Sequence, residues 1–188
     1  MSGRLSEEIE VSVPASEAWK LYRTLKLADI VLELLPDLIS KIDVVEGNGG
    51  AITILHLFFT PGMPGLSSYK EKFVAVDDEK REKVVEGWYL DMGFGSYRVR
   101  FEVIHKENGC CISRATIEYV MKEKANAVDA ALVSIQPMVA ILNVAAKHLL
   151  QKKHHRTHQI IIIIIIIIII IIIIIIIIIM QFYSFYFD

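Results

Sequence analysis

The chain has 188 residues, 54% of them hydrophobic, and a formal net charge of −2 at pH 7. Its length suits one domain of ordinary size, and the near-neutral charge, without a basic stripe carrying interleaved aromatic residues, argues against a nucleic-acid partner. An unbroken isoleucine run at 160–179 inflates the apolar content, which falls to about 49% without it. The remaining sequence is typical of a globular domain.

The N-terminal part predicts one strand and two short helices. Apolar residues alternate with polar ones over residues 9–13, as in a strand that Pro14 would stop. A short helix is expected from Ser16. A second is expected at about 28–35, because Pro36 disfavours helical geometry in the residue before it.

The middle of the chain predicts six further strands that pair antiparallel. Turn signals at 47–50, 61–65, 77–78 and 107–109 separate alternating apolar segments. The expected strands cover residues 39–46, 51–59, 68–77, 81–89, 97–105 and 110–121.

From residue 125 to about 153 the apolar period changes to that of a long helix, with a kink expected at Pro137. A curved antiparallel sheet that grips this helix would leave an internal cavity between them. The expected class is therefore α+β, with a seven-stranded antiparallel sheet around a long C-terminal helix and two short helices.

The segment 69–97 carries the candidate chemistry. Tyr69, Glu71 and a lysine, Lys80 or Lys83, lie among apolar residues that alternate as in a half-buried strand pair. Ionisable groups on an apolar face point to a cavity, because burial without partners costs several kcal/mol per group. The alternative is a set of exposed cross-strand ion pairs on the outer face.

The element order, the glycine-rich turn VEGNGG at 45–50 and three short motifs together resemble the Bet v 1 and pathogenesis-related class 10 family. The motifs are LLPD at 34–37, YKEKF at 69–73 and EGWYLDMG at 86–93, and they are most similar to the family's norcoclaurine synthase branch. The resemblance covers about residues 5–153. It implies a helix-grip fold of the START type with an internal cavity.

The resemblance implies an activity and roles for these residues. The implied reaction is a Pictet–Spengler condensation of dopamine with 4-hydroxyphenylacetaldehyde in benzylisoquinoline alkaloid biosynthesis, without a cofactor. Tyr69 would position the substrate, Glu71 would remove the ring proton, and the catalytic lysine would be Lys83, or Lys80 if the hairpin register differs. The hairpin here is about three residues shorter than in those synthases, and an odd change reverses which side chains face inward.

Two further expectations concern the cavity. The family's additional acidic residue is replaced here by Val99, which favours the alternative of a non-catalytic carrier or defence protein for hydrophobic plant metabolites or hormones. Under either reading Phe73 and Met138 should contact a small hydrophobic or aromatic ligand. The expected protein is a monomer or weak dimer.

Three other features predict structure rather than chemistry. Cys110 and Cys111 are adjacent, so they are expected to be buried thiols on a strand. The glycines at 47–50 predict a hairpin turn rather than a phosphate cradle, since no helix start follows them. The histidines at 154, 155 and 158 lie in a basic segment, 154–159, that is expected to be a flexible connector, so no metal site is predicted.

The sequence predicts a domain at 1–153, the connector and a low-complexity tail at 160–188. The N-terminus has no basic region followed by an apolar stretch, so a cytoplasmic domain is expected. A helix of about 20 isoleucines would be about 30 Å long, enough to anchor the protein in a membrane. The alternative is a translated trinucleotide repeat or a faulty gene model.

Overall fold

The described part of the chain forms one antiparallel sheet, two short helices and one long C-terminal helix. The computed structural model describes residues 1–62, 67–87, 93–122 and 133–187. The strands and helices, in chain order, are β1 (Ser2–Val11), α1 (Ala15–Tyr22), α2 (Lys26–Leu34), β2 (Ile39–Glu46), β3 (Ile54–Phe59), β4 (Ser68–Asp77), β5 (Glu82–Gly87), β6 (Phe94–His105), β7 (Cys111–Met121) and α3 (Gln136–Phe187).

Seven strands form a single sheet in the order β1-β7-β6-β5-β4-β3-β2, and every neighbouring pair is antiparallel. The helices α1 and α2 connect β1 and β2, the two edge strands of this sheet. The predicted α+β architecture is therefore confirmed.

The main core lies between the sheet and the helices. Tyr22 of α1 packs its ring 5.9 Å from that of Phe101 on β6. On α3 the buried residues Leu142, Ala145, Ala146 and Leu149 follow the spacing of one helix face and belong to the same core cluster. The chain divides into two compact units, Met1–Leu150 and Gln151–Asp188.

The strand β3 begins three residues later than predicted, at Ile54, because the glycine-rich turn closes on Thr53. The buried hydroxyl of Thr53 accepts a hydrogen bond of 2.9 Å from the backbone N–H of Gly49. A Cβ atom at Gly47, whose φ is +86°, would lie 2.5 Å from that hydroxyl oxygen. The segment is thus a closed turn, as expected.

Other boundaries also differ from the prediction. Strand β1 starts at Ser2 and ends at Val11, and β6 starts at Phe94. Phe94 is buried and packs edge-on against the rings of Tyr97 and Tyr119, which draws the start of β6 into the sheet. Predicted residues 63–65 of one turn and 88–89 of β5 lie outside the described residues.

The long helix differs most from the prediction. Residues 133–135 are not helical, and α3 begins at Gln136, so Pro137 lies in its first turn. The expected kink is therefore wrong: proline is well tolerated where no N–H partner exists within the helix. Residues 125–132 of the predicted helix lie outside the described residues. The segment 154–159, expected to be a flexible connector, is helical.

Candidate active site

A cavity of about 70 Å³ opens between the inner face of the sheet, α2 and the first turns of α3. Pockets for drug-sized ligands span about 300–1,000 Å³, so this cavity is small by comparison. The predicted ligand contacts Phe73 and Met138 both line it. The full lining is Leu27, Ala28, Val31, Ile42, Leu55, Leu57, Tyr69, Glu71, Phe73, Lys83, Val85, Val99, Phe101, Met138 and Ile141.

Strand β4 brings two of the predicted residues together. Tyr69, Glu71 and Phe73 are two positions apart, so their side chains share the cavity face of the strand. The Tyr69 hydroxyl donates a hydrogen bond of 3.1 Å to a carboxylate oxygen of Glu71. The ring of Phe59 stacks on that of Tyr69, with 5.5 Å between centroids, and holds the phenol in place.

The pairing of β5 with β4 shows which lysine faces the cavity. The register between β4 and β5 shifts between Phe73 and Ala75, so Val76 rather than Ala75 pairs with Lys83. A bulge adds one residue to one strand and reverses the alternation beyond it. Here the extra residue is on β4, after the pair Phe73 and Val85, so the alternation along β5 is unchanged. Lys83 lies two positions from Val85 on β5 and therefore points to the same side as Phe73 and Glu71.

Lys80 lies outside the cavity. It belongs to the exposed turn between β4 and β5, where its Nζ is 3.6 Å from a carboxylate oxygen of Asp77. Asp77 also accepts hydrogen bonds from the backbone N–H groups of Glu79 and Lys80, which fixes the turn. Of the two lysines suggested by the sequence, the geometry brings only Lys83 near Glu71.

Lys83 is held in an apolar environment. The residue is 3% exposed, and its Nζ lies 3.4 Å from the centroid of the Phe73 ring. Burial disfavours the ammonium and lowers the pKa of Lys83 to about 8, although the negative charge of Glu71 opposes this shift. Within the described part of the chain, no hydrogen bond to Nζ is formed, which leaves the amine available to a ligand.

Glu71 shows the opposite shift. Desolvation raises the pKa of its carboxyl group above the ordinary value, against the smaller effects of the Lys83 charge and the Tyr69 hydrogen bond. Glu71 and Lys83 both belong to the described part of the chain, and they do not form an ion pair with an N–O distance of 4.0 Å or less. An amine and a carboxyl group whose pKa values move toward one another can exchange protons with a substrate between them.

A family model described as the Pathogenesis-related protein Bet v 1 family matches residues 1–152. This chain belongs to that family. It is 44% identical to norbelladine synthase of Narcissus pseudonarcissus over 81% of this chain and 95% of the relative. It is 35% identical to S-norcoclaurine synthase 2 of Papaver somniferum over 78% of this chain, and the match spans 64% of that relative's length.

Solved structures show the same relationship for this Bet v 1 family member. A point mutant of norcoclaurine synthase from Thalictrum flavum, in complex with a transition-state analogue, superposes with a TM-score of 0.75 and 31% identity, covering 81% of this chain and 97% of the other. The same enzyme in complex with dopamine and hydroxybenzaldehyde gives a TM-score of 0.73 and 30% identity, covering 80% and 88%. The chain is thus similar to named synthases in both sequence and structure.

Val99 lies on the cavity wall, at the position of the additional acidic residue that the family resemblance implies. It pairs with Val85 on one side and Ile117 on the other, two residues along the strands from the pair Lys83 and Phe101 and on the same face. The nearby Tyr97 is half-buried, and desolvation raises its pKa to about 12. The phenol therefore keeps its proton at neutral pH, and this wall carries no carboxylate at position 99.

Sequence reasoning missed the contribution of α2 to the cavity. Leu27, Ala28 and Val31 lie on one face of this helix and line the site, together with Ile141 of α3. Their spacing marks an apolar helix face, but apolar side chains give no chemical signal that separates a cavity wall from a packed core.

The remaining candidates lie away from the cavity. Among the described residues, no group of three or more His, Cys, Asp or Glu side chains is placed to hold a metal ion. His154 and His158 approach each other, Nε2 to Nε2, at 3.0 Å on the exposed side of α3. Both cysteines are free thiols: Cys111 is buried on β7 as predicted, while Cys110 is half-buried in the preceding turn.

Proposed function

We propose that this protein condenses an aromatic ethylamine with an aromatic aldehyde by a norcoclaurine synthase-type Pictet–Spengler reaction. Dopamine and 4-hydroxyphenylacetaldehyde are the first candidate substrates. The observation that carries the proposal is the placement of the Lys83 amine and the Glu71 carboxyl group in one apolar cavity, with pKa values shifted toward each other.

The reaction needs an acid first and a base later. The substrate amine adds to the aldehyde carbon and gives a carbinolamine. The Lys83 ammonium donates a proton to the carbinolamine hydroxyl, which leaves as water and produces an iminium ion. The aromatic ring then forms a carbon–carbon bond to the iminium carbon. The Glu71 carboxylate removes the displaced ring proton and restores aromaticity.

The site suits both proton transfers. A lysine with a pKa near 8 donates a proton more readily than a solvated one and still carries that proton at neutral pH. Desolvation strengthens Glu71 as a base once it is ionised, and the Tyr69 hydroxyl holds its carboxylate in one orientation. The mostly apolar wall excludes water, which would return the iminium ion to the aldehyde.

The relatives support the same chemistry. Several of them are named S-norcoclaurine synthases, and one solved structure contains dopamine with hydroxybenzaldehyde, an amine and an aldehyde together. Norbelladine synthase, at 44% identity, is a reason to include other amine and aldehyde pairs among the candidate substrates.

A carrier function is the second candidate, and Val99 is the observation that favours it. Without a carboxylate at this position the cavity has one acidic side chain, Glu71, among the described lining residues. A cavity with that lining would still bind apolar and aromatic metabolites. Ligand binding alone therefore does not distinguish the two functions.

The decisive measurement is the handedness of the product. The purified chain, solubilised in mild detergent, is incubated with dopamine and a panel of aromatic aldehydes, and the tetrahydroisoquinoline is resolved on a chiral column. An excess of one enantiomer above the buffer reaction supports the synthase. Racemic product at the buffer rate for every pair supports the carrier.

The variant Val99→Asp tests the missing acid. A carboxylate here would lie on the cavity face two positions along β6 from Phe101, the partner of Lys83, and should raise the turnover of the cyclisation by about a hundredfold, the lower end of the range for a positioned acid or base. Val99→Asn, of the same shape but without a charge, is the matched control. Equal turnover in the two variants would show that position 99 does not limit the reaction.

A further inference from the structure

The isoleucine segment of α3 is apolar around its whole circumference. From Ile160 to Ile176 each side chain is 48–57% exposed, with no face covered. A helix that docks on a protein surface needs one apolar stripe and keeps a polar face toward water. An all-apolar helix instead needs an apolar surrounding on every side. Such a surrounding is found in a protein interior or a lipid bilayer.

We propose that residues 160–179 span a lipid bilayer and tether the protein to a membrane. This segment forms part of a helix that is long and apolar enough to cross a membrane, judged by length and composition. At 1.5 Å per residue the run is about 30 Å long, which matches the hydrocarbon thickness of about 30 Å. The helical backbone satisfies its own hydrogen bonds, as the hydrocarbon interior requires.

The flanking residues fit the two interfaces of that bilayer. Lys152, Lys153 and Arg156 precede the run and would lie among phosphate headgroups on the cytosolic side. Phe182, Tyr183, Phe185 and Tyr186 follow it in the sequence, and aromatic residues are enriched at membrane interfaces. The polarity of the flanks thus predicts an orientation with Met1–Leu150 on the cytosolic side.

A second copy of this chain is the competing partner, since isoleucine also packs well between helices. Self-association and insertion differ in what they need: aggregates form without lipid and sediment, whereas an inserted helix floats with vesicles. Insertion also carries the C-terminus to the opposite side of the membrane.

The test uses the full chain, translated without cells in the presence of microsomes, with an Asn-linked glycosylation site appended after Asp188. Spanning predicts that the chain floats with the membranes, resists alkaline extraction and is glycosylated in the lumen. Recovery of the chain in a pellet free of lipid, rather than with the floating microsomes, would overturn the proposal. So would extraction at alkaline pH, or flotation without glycosylation, which would place the helix on the membrane surface.

A substitution series isolates the isoleucine run as the cause. The fivefold variant Ile165→Lys, Ile167→Lys, Ile169→Lys, Ile171→Lys and Ile173→Lys places charges all around the centre of the segment. It should lower the glycosylated, alkali-resistant fraction at least about tenfold. Leucine at the same five positions should leave that fraction unchanged. If both variants lose the glycosylated, alkali-resistant fraction, or if neither does, a bilayer-spanning role is contradicted. Transcripts of the source organism that lack the isoleucine codons would contradict it as well.

Discussion

The two faces of strands β4, β5 and β6 carry the same kinds of side chain in opposite settings. On the inner face Glu71 and Lys83 lie in the cavity without a direct ion pair. On the outer face Arg100 bridges two carboxylates, with its guanidinium 2.7 Å from Glu82 and 3.5 Å from Glu118. Acidic and basic residues thus alternate with apolar ones on both sides of this part of the sheet.

The difference shows that the surroundings, rather than the residue type, decide what a charge does. The hydrogen bond with Glu82 raises the pKa of Arg100, so the guanidinium on the outer face keeps its charge and holds neighbouring strands together. In the cavity, desolvation moves the pKa values of Lys83 and Glu71 the other way, toward neutrality. Of these two sets, it is the inner groups whose pKa values move toward the physiological range, as proton transfer requires.

The largest expected effect comes from removing the inner carboxylate. Glu71→Gln keeps the shape of the side chain and a group that accepts the Tyr69 hydrogen bond, but it removes the base. Turnover should fall at least about a hundredfold, while the affinity for dopamine changes little. Turnover is measured by chiral product formation and affinity by calorimetry.

The control for this substitution is Glu86→Gln, on the outer face of β5, which should retain full turnover because Glu86 pairs with Arg98 in solvent. Equal turnover of Glu71→Gln and the unchanged protein would remove Glu71 from the mechanism.

The two lysines provide a second comparison between the faces. Lys83→Met keeps the length and apolar body of the side chain and removes the amine, so turnover should fall about a hundredfold. Lys80→Met, in the exposed turn, should leave turnover within about twofold of the original. If Lys80→Met is instead the inactive variant, the bulged register of β4 and β5 is wrong.

The pH dependence of stability offers a smaller effect. The pKa of Lys83 is about 8 in the folded chain and 10.5 in an unfolded one. Between these values the unfolded chain binds more protons, so stability should increase as pH rises from about 8 to about 10.5. The increase is at most about 3–4 kcal/mol, because one pKa unit corresponds to about 1.4 kcal/mol.

This increase should be absent from Lys83→Met and present in Lys80→Met. Urea unfolding at several pH values between 7.5 and 10.5 measures it. A parallel rise in all three proteins would assign the effect to other groups.

The sequence predicted the fold and the inner position of Tyr69 and Glu71 because both follow from local alternation. Residues that are two positions apart on one strand share a face, however that strand pairs with its neighbours. The lysine that faces the cavity could not be predicted in this way, because the orientation of its side chain depends on how β4 pairs with β5. Lys83 faces inward because Phe73 pairs with Val85, which is two positions from Lys83 on β5, and the sequence does not show which residues of the two strands pair.

The helix α3 shows where periodicity is ambiguous. Apolar spacing continues through residues 133–135, but the chain there is not helical, and Pro137 suits the first turn better than the interior of a helix. Proline in the first turn of a helix and proline at a kink leave the same mark in a sequence. A residue that caps the start of the helix distinguishes the two cases. Here the Ser134 hydroxyl accepts a hydrogen bond from the backbone N–H of Gln136 just before the helix begins.

The smallest effect is expected for the outer pair Arg98 and Glu86. These residues are direct cross-strand partners, and the Arg98 Nε donates a hydrogen bond of 3.1 Å to Glu86, but the two side chains are 52% and 35% exposed. Water screens such a pair, so a double-mutant cycle with Arg98→Ala and Glu86→Ala should give a coupling of about 0.2–1 kcal/mol. That coupling should shrink further in 1 M salt, where screening acts over about 3 Å. A coupling above about 2 kcal/mol that resists salt would mean that the outer face is as desolvated as the cavity, and the contrast between the two faces would no longer explain why only one of them carries Glu71 and Lys83 in a reactive state.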